Sequence, residues 1–166
     1  MVRSVSLGCS VTMMLMLLAC SEAQQTAGSA GGEAEVLGAT ESSREFGDYV
    51  LHFNALTTDQ LDPAIAAEHG IVRSPNRALL NISVLRNQEI GLATAVSAEI
   101  SASARNLTGQ LRTIPIQEIR EGDAIYYIGE TQVANAETLI FTVDATPESK
   151  TEPLTVRFQR QFFVDE

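Results

Sequence analysis

Beyond Arg44 the large apolar side chains recur at every second position. Tyr49, Leu51 and Phe53 follow this spacing, and Leu80, Ile82 and Val84 repeat it with Asn81 and Ser83 between them. Val96 to Arg105 alternates small apolar and polar residues without a break. A helix would scatter those polar residues round its circumference, whereas a strand puts them on one face. Ile125, Tyr127, Gly129, Thr131 and Val133 form one face of a further run, and Leu139, Phe141 and Val143 form one of another. Leu154, Val156 and Phe158 complete the set. Phe141 alternates with Thr142 and is expected in the core, and His52 is expected on the face opposite Leu51 and Phe53.

Turn chemistry falls between the runs, at Asn106 to Gly109, Glu121-Gly122-Asp123, Asn135, and Pro147 to Pro153. One short helix interrupts the alternation. Asp62 can cap it, Pro63 suits its first turn, Ala64 to His69 continue it, and Gly70 can close it. About seven strands with short turns in roughly 120 residues predict an all-β fold. The expected form is an antiparallel two-sheet sandwich, immunoglobulin-like, with the helix between the first two strands; a small barrel is the alternative.

The N-terminus reads as a targeting segment. Arg3 is its only charge before Cys20, and Val11 to Leu18 form a short apolar run. That run is too short to span a bilayer, which needs about 20 residues. Leu17-Leu18-Ala19-Cys20 then matches a signal peptide cut at a small residue. A cysteine directly after the cut resembles the lipobox of bacterial lipoproteins. There the thiol receives a diacylglyceryl group, and the new amino terminus takes an acyl chain such as palmitate. Each buried methylene contributes about 0.8 kcal/mol, so several chains on one residue make release slow. Residues 1–19 are thus expected to be a lipoprotein signal peptide, with the membrane bound through lipid on Cys20. Ser21, where Asp resembles an inner-membrane retention signal, points to the outer membrane and its periplasmic side.

Residues 21–43 are Ser, Gly, Ala, Gln, Thr and Glu with few large apolar side chains. Such a segment cannot bury enough surface to offset its ordering entropy. The reading is a flexible tether over 20–43, dispensable for folding, and a β-sandwich domain over 44–166.

Charge narrows the partners. The chain carries 21 acidic against 11 basic residues, a formal charge of −10. That disfavours nucleic acid. Of the two cysteines, Cys9 leaves with the signal and Cys20 is used by lipid, so no disulfide or thiolate metal site is expected.

No catalytic constellation stands out. A metal site needs several His or carboxylates converging, and no paired-histidine motif is present, so neither a metal nor a cofactor is expected. There is no Gly-x-Ser-x-Gly elbow and no phosphate loop set between a strand and a helix. Glu-Gly-Asp at 121–123 has the chemistry of a hairpin tip. His69, at the end of the helix, suits the favourable C-terminal field for a cation. The weak ligand candidates are His52, Asp48, Glu121 and Asp123. The leading functional reading is a non-catalytic interaction module with an envelope protein partner. The alternative is a periplasmic enzyme or small-ligand binder with a site at the loop ends near His52.

Four stretches resemble a known family: Phe46-Gly47-Asp48-Tyr49, Asn81 to Arg86, Arg120-Glu121-Gly122-Asp123-Ala124-Ile125-Tyr126-Tyr127, and Phe158 to Glu166. Together they resemble an exported gamma-proteobacterial family, domain-of-unknown-function family 4426, over about residues 44–166. The resemblance implies a β-rich domain in a Gram-negative periplasm. It brings no assigned active site, so no functional residue is carried over. Many members carry an ordinary signal peptide, and the lipobox and tether here depart from that.

Mass spectrometry of the mature N-terminus should find an acylated Cys20, and Cys20→Ser should release the protein or leave it unprocessed. An unmodified terminus at Ser21 or Ala23 would overturn the lipobox reading.

Overall fold

The computed structural model describes residues 34–88 and 90–164. The signal segment, Cys20 and the first part of the tether lie outside the described residues.

Two sheets form a sandwich. The five-stranded sheet runs β1 (Val36–Leu37), β11 (Leu154–Phe162), β10 (Glu137–Pro147), β6 (Ala98–Asn106), β7 (Leu111–Ile114). The six-stranded sheet runs β2 (Ser43–Phe46), β3 (Tyr49–Thr57), β4 (Arg77–Arg86), β9 (Ala124–Gln132), β8 (Gln117–Glu121), with β5 (Thr94–Ala95) beside β4. All pairs are antiparallel except β1 with β11. The alternation predicts the long strands because each buries one face only.

The inward faces are those marked by the sequence pattern. Leu51, Phe53, Leu80, Ile82 and Val84 come from the six-stranded sheet, and Leu139, Phe141, Val143, Val156 and Phe158 from the other. Each of these is at most 2% exposed. Phe53 stacks on Phe158 at 4.5 Å between ring centroids, and Phe141 on Phe158 at 5.1 Å.

Both flanks are closed by chain that changes sheets. On one flank the segment 36–46 passes from β1 to β2, and the Phe53 N–H donates to the Ser42 carbonyl at 2.8 Å. On the other, Pro115-Ile116 carries the chain from β7 to β8. That corner crosses tightly over β9. A Cβ on Gly129 would lie 2.5 Å from Ile114 Cγ2 and 2.7 Å from the Pro115 carbonyl oxygen. Only a residue without a side chain fits there.

The helix α1 (Pro63–Glu68) has the expected ends. Asp62 Oδ1 accepts from the Ala64 N–H at 2.7 Å, and Gly70 closes it at φ +66°. A 3₁₀ turn, Thr58–Gln60, leads into it. Thr58 is fully buried, donates from Oγ1 to the Val72 carbonyl at 2.9 Å and accepts from the Ser74 N–H at 2.9 Å. This ties both ends of the excursion together. Ala66 and Ile71 then pack on Leu79, on the outer face of the six-stranded sheet.

Three expectations need correction. The described residues hold eleven strands rather than about seven, because β1, β2, β5, β7 and β8 are too short to show alternation. For the same reason the helix falls between the third and fourth strands. The ordered body also begins before residue 44. The Arg157 guanidinium donates to the Ala34 carbonyl, and Arg160 donates to those of Gly38 and Glu41. Side-chain composition identified 34–43 as tether, but here the backbone carbonyls and the Val36-Leu37 pair do the binding.

A chain starting at Glu33 should melt as one starting at Ser21 does. One starting at Arg44 should lose about 1–3 kcal/mol in a urea melt, since half-buried Arg160 is left without two carbonyl acceptors. Equal melts for the two would mean the 34–43 segment contributes nothing. Gly129→Ala should cost about 1–3 kcal/mol through overpacking at the β7–β8 corner, and an unchanged melting midpoint would refute that crowding.

Candidate functional site

The outward face of the six-stranded sheet carries the sequence candidate His52. Register sets His52 opposite Ser83 on one side and Ser43 on the other, and Asn54 opposite Asn81. The strap residues Thr40 and Ser42, with Arg160, wall this patch into a groove of about 430 Å³. Its lining offers two amides, several hydroxyls, one imidazole and one guanidinium. Burial lowers the Arg160 guanidinium from its ordinary range, and the carbonyls of Gly38, Glu41 and Gln159 accept from it. Among the described residues His52 has no side-chain hydrogen-bond partner.

The other candidates do not join it. Asp48 lies in the β2–β3 turn, where its carbonyl accepts from the Asn87 N–H at 2.7 Å, and it lines a separate depression with Arg86 and Gln88. Asp123 sits at the β8–β9 hairpin tip, beside Gly122 at φ +57°. Glu121 ends β8 and pairs with His69, Oε1 to Nε2 at 3.0 Å. A histidine base needs a group that fixes its tautomer, and none of these carboxylates lines the His52 groove. Among the described residues no three His, Cys, Asp or Glu side chains are placed to hold a metal.

Asn81 was not singled out from the sequence. It lines the His52 groove and also a second cleft beside α1. Its Oδ1 is buried without a hydrogen-bond partner. A buried acceptor left unpaired costs about 1–3 kcal/mol. Nothing in Asn81-Ile82-Ser83 shows this, because the environment comes from β9 and α1. The His69–Glu121 pair was equally hidden, since its partners are remote in sequence.

The arginines are mostly structural. Arg120 bonds Glu118 and Ser97, Arg86 lies over the Tyr49 ring, and Arg112 pairs with Glu137 at 2.8 Å. Burial alone would raise the Glu137 carboxyl, but the Ala134 N–H and Arg112 hold it below its usual value. This cluster knots the β9–β10 turn to β7. Tyr126 and Tyr127 point to opposite faces; Tyr127 is buried and accepts from the Ala98 N–H at 2.8 Å. Its removal from water raises its phenol above the ordinary value.

A family model described as "Domain of unknown function (DUF4426)" matches residues 43–165. The chain resembles a crystal structure of a DUF4426 family protein from Pseudomonas aeruginosa PAO1 at 27% identity and a TM-score of 0.63. That match covers 75% of this chain and 95% of the other. FetP of uropathogenic Escherichia coli strain F11, recombinantly expressed in the periplasm of E. coli BL21(DE3), is 12% identical with a TM-score of 0.54. It covers 75% of this chain and 94% of its own, and shows the shared fold. No curated protein sequence matches the chain. The match over β2 to β11, together with the sandwich shared with the Pseudomonas protein, places the chain in the DUF4426 family.

Proposed function

We propose that this protein is a lipid-anchored, non-catalytic binding module of the cell envelope, held on the periplasmic side of the outer membrane through Cys20. The lipobox at Leu17 to Cys20 supports the anchor, and Ser21 supports the outer membrane. The observation that carries the binding role is the His52 groove. Its walls are neutral amides and hydroxyls on a rigid sheet, with one guanidinium already engaged by backbone carbonyls. Groups of this kind recognise a partner by hydrogen bonding and leave its covalent bonds alone. An acidic domain on a tether suits an envelope protein as that partner, and its charge disfavours nucleic acid.

The second reading, an enzyme or small-ligand binder acting through His52, draws on the same concave setting. The two differ in what His52 must do. His52→Ala should shift stability by less than about 1 kcal/mol, because a partly exposed imidazole with no fixed partner contributes little. The mutant should also keep the cellular phenotype of the native protein. A photo-crosslinking residue placed at Asn54, which is exposed beside the groove, should trap one discrete envelope protein in intact cells. A folded, anchored His52→Ala protein that still forms the Asn54 crosslink but behaves like a deletion would replace the binding reading with the catalytic one.

A further inference from the structure

The outer face of a two-sheet sandwich is normally the polar one. Over part of the six-stranded sheet this rule fails. Leu79 on β4, Tyr126 and Ile128 on β9, and Ile119 on β8 all face outward. Register holds them together, with Ile119 opposite Tyr126 and Ile128 opposite Asn81. The short helix α1 explains some of this apolar surface, since Ala66 and Ile71 cover Leu79. Ile128 packs against the edge of that cluster, but Ile119, Tyr126 and Ile128 all stay partly exposed. A cleft of about 300 Å³ remains between Ile65 of α1 and the side chains of Ile119, Tyr126 and Ile128.

Two polar features mark this cleft as more than imperfect packing. The His69–Glu121 pair runs from the end of α1 to the end of β8 and lies on the cleft wall. It bridges helix and sheet across a gap that apolar contacts alone do not close. The second feature is Asn81, which also lines the cleft and whose Oδ1 has no partner. An apolar residue of the same size would pack there without that penalty. A ligand carrying an N–H or O–H beside Asn81 would supply the missing donor.

We infer that the cleft between α1 and the outer face of β4, β9 and β8 binds a small, neutral, mainly apolar molecule with one hydrogen-bond donor. The volume lies at the small end of ligand pockets. The ionisable side chains on its wall, His69 and Glu121, are hydrogen-bonded to each other. The strongly acidic chain disfavours an anion. Apolar contact supplies affinity here, and the Asn81 acceptor supplies orientation and selectivity. The site shares Asn81 with the His52 groove, whereas Ile65 and Ile119 line only the cleft, so substitutions there test it apart from the protein partner proposed for the groove.

A matched pair of probes tests it. 1-Naphthol and 1-methoxynaphthalene share one apolar body, and only the first has a donor. Calorimetric titration should use the chain from Ser21, which contains every described residue and carries no lipid. 1-Naphthol should bind at one saturable site, about tenfold more tightly than the methyl ether, the ratio worth one hydrogen bond. Asn81→Leu should remove that preference while leaving the ether's affinity unchanged. Ile65→Glu, at a half-exposed helix position, and Ile119→Trp, which fills the cleft, should each weaken both probes at least about tenfold. Melting curves confirm that each variant is folded. No saturable binding, equal affinity for the two probes in the native chain, or binding indifferent to Ile65→Glu and Ile119→Trp in the folded variants would each overturn the inference. The probe comparison on the native chain decides the donor question even where Asn81→Leu fails to fold.

Discussion

Phe158 is the contact on which the two sheets turn. It stacks on Phe53 across the sandwich and on Phe141 along its own sheet, and Phe141 meets Phe162 edge-on. Aromatic pairs of this kind contribute about 0.5–1.5 kcal/mol beyond their buried area. Their larger effect is geometric. Phe141 and Phe158 are register partners on β10 and β11, so a slip of one residue would turn one ring outward. Fixing that register also fixes β3, because Phe53 has only one place to rest. The outward neighbours His52 and Asn54 are thereby set in place by a core they do not touch. Among the described residues the fold has no disulfide to share this task.

The long strands were legible because burial on one face writes a period of two into the sequence. Leu51, Ile82, Phe141 and Val156 all followed that rule and all lie in the core. The helix was legible from its ends, where Asp62 and Gly70 perform local chemistry. What failed was anything too short for a period or held by backbone. Strand β1 has two residues and is seated by arginines distant in sequence, so composition alone took 34–43 for tether. Gly129 looked like one more member of an alternating run, and only the Pro115 crossing reveals why it must be glycine.

The site was less legible for the same physical reason. His52 could be assigned to the outer face, since alternation gives faces. The walls of its groove could not, because Thr40 and Arg160 arrive from opposite ends of the chain. Glu121 was correctly placed at a hairpin tip, yet its pairing with His69 depends on how α1 lies across the sheet. Asn81 illustrates the limit most clearly. Its alternation is normal, and its missing hydrogen bond is a property of three elements meeting.

The strap also has a mechanical meaning. Strand β1 lies parallel to β11, with Val36 opposite Arg157 and Leu37 opposite Phe158. A pull on the N-terminal chain along the strand axis loads these contacts together, in shear, whereas a pull across the sheet would peel them one after another. Leu37 is the register partner of Phe158, so that load enters the domain beside the aromatic stack of its core. The same strap continues into Thr40 and Ser42, which wall the His52 groove. If the anchor proposed at Cys20 holds, tension on this end of the domain and the shape of the groove would be one coupled variable.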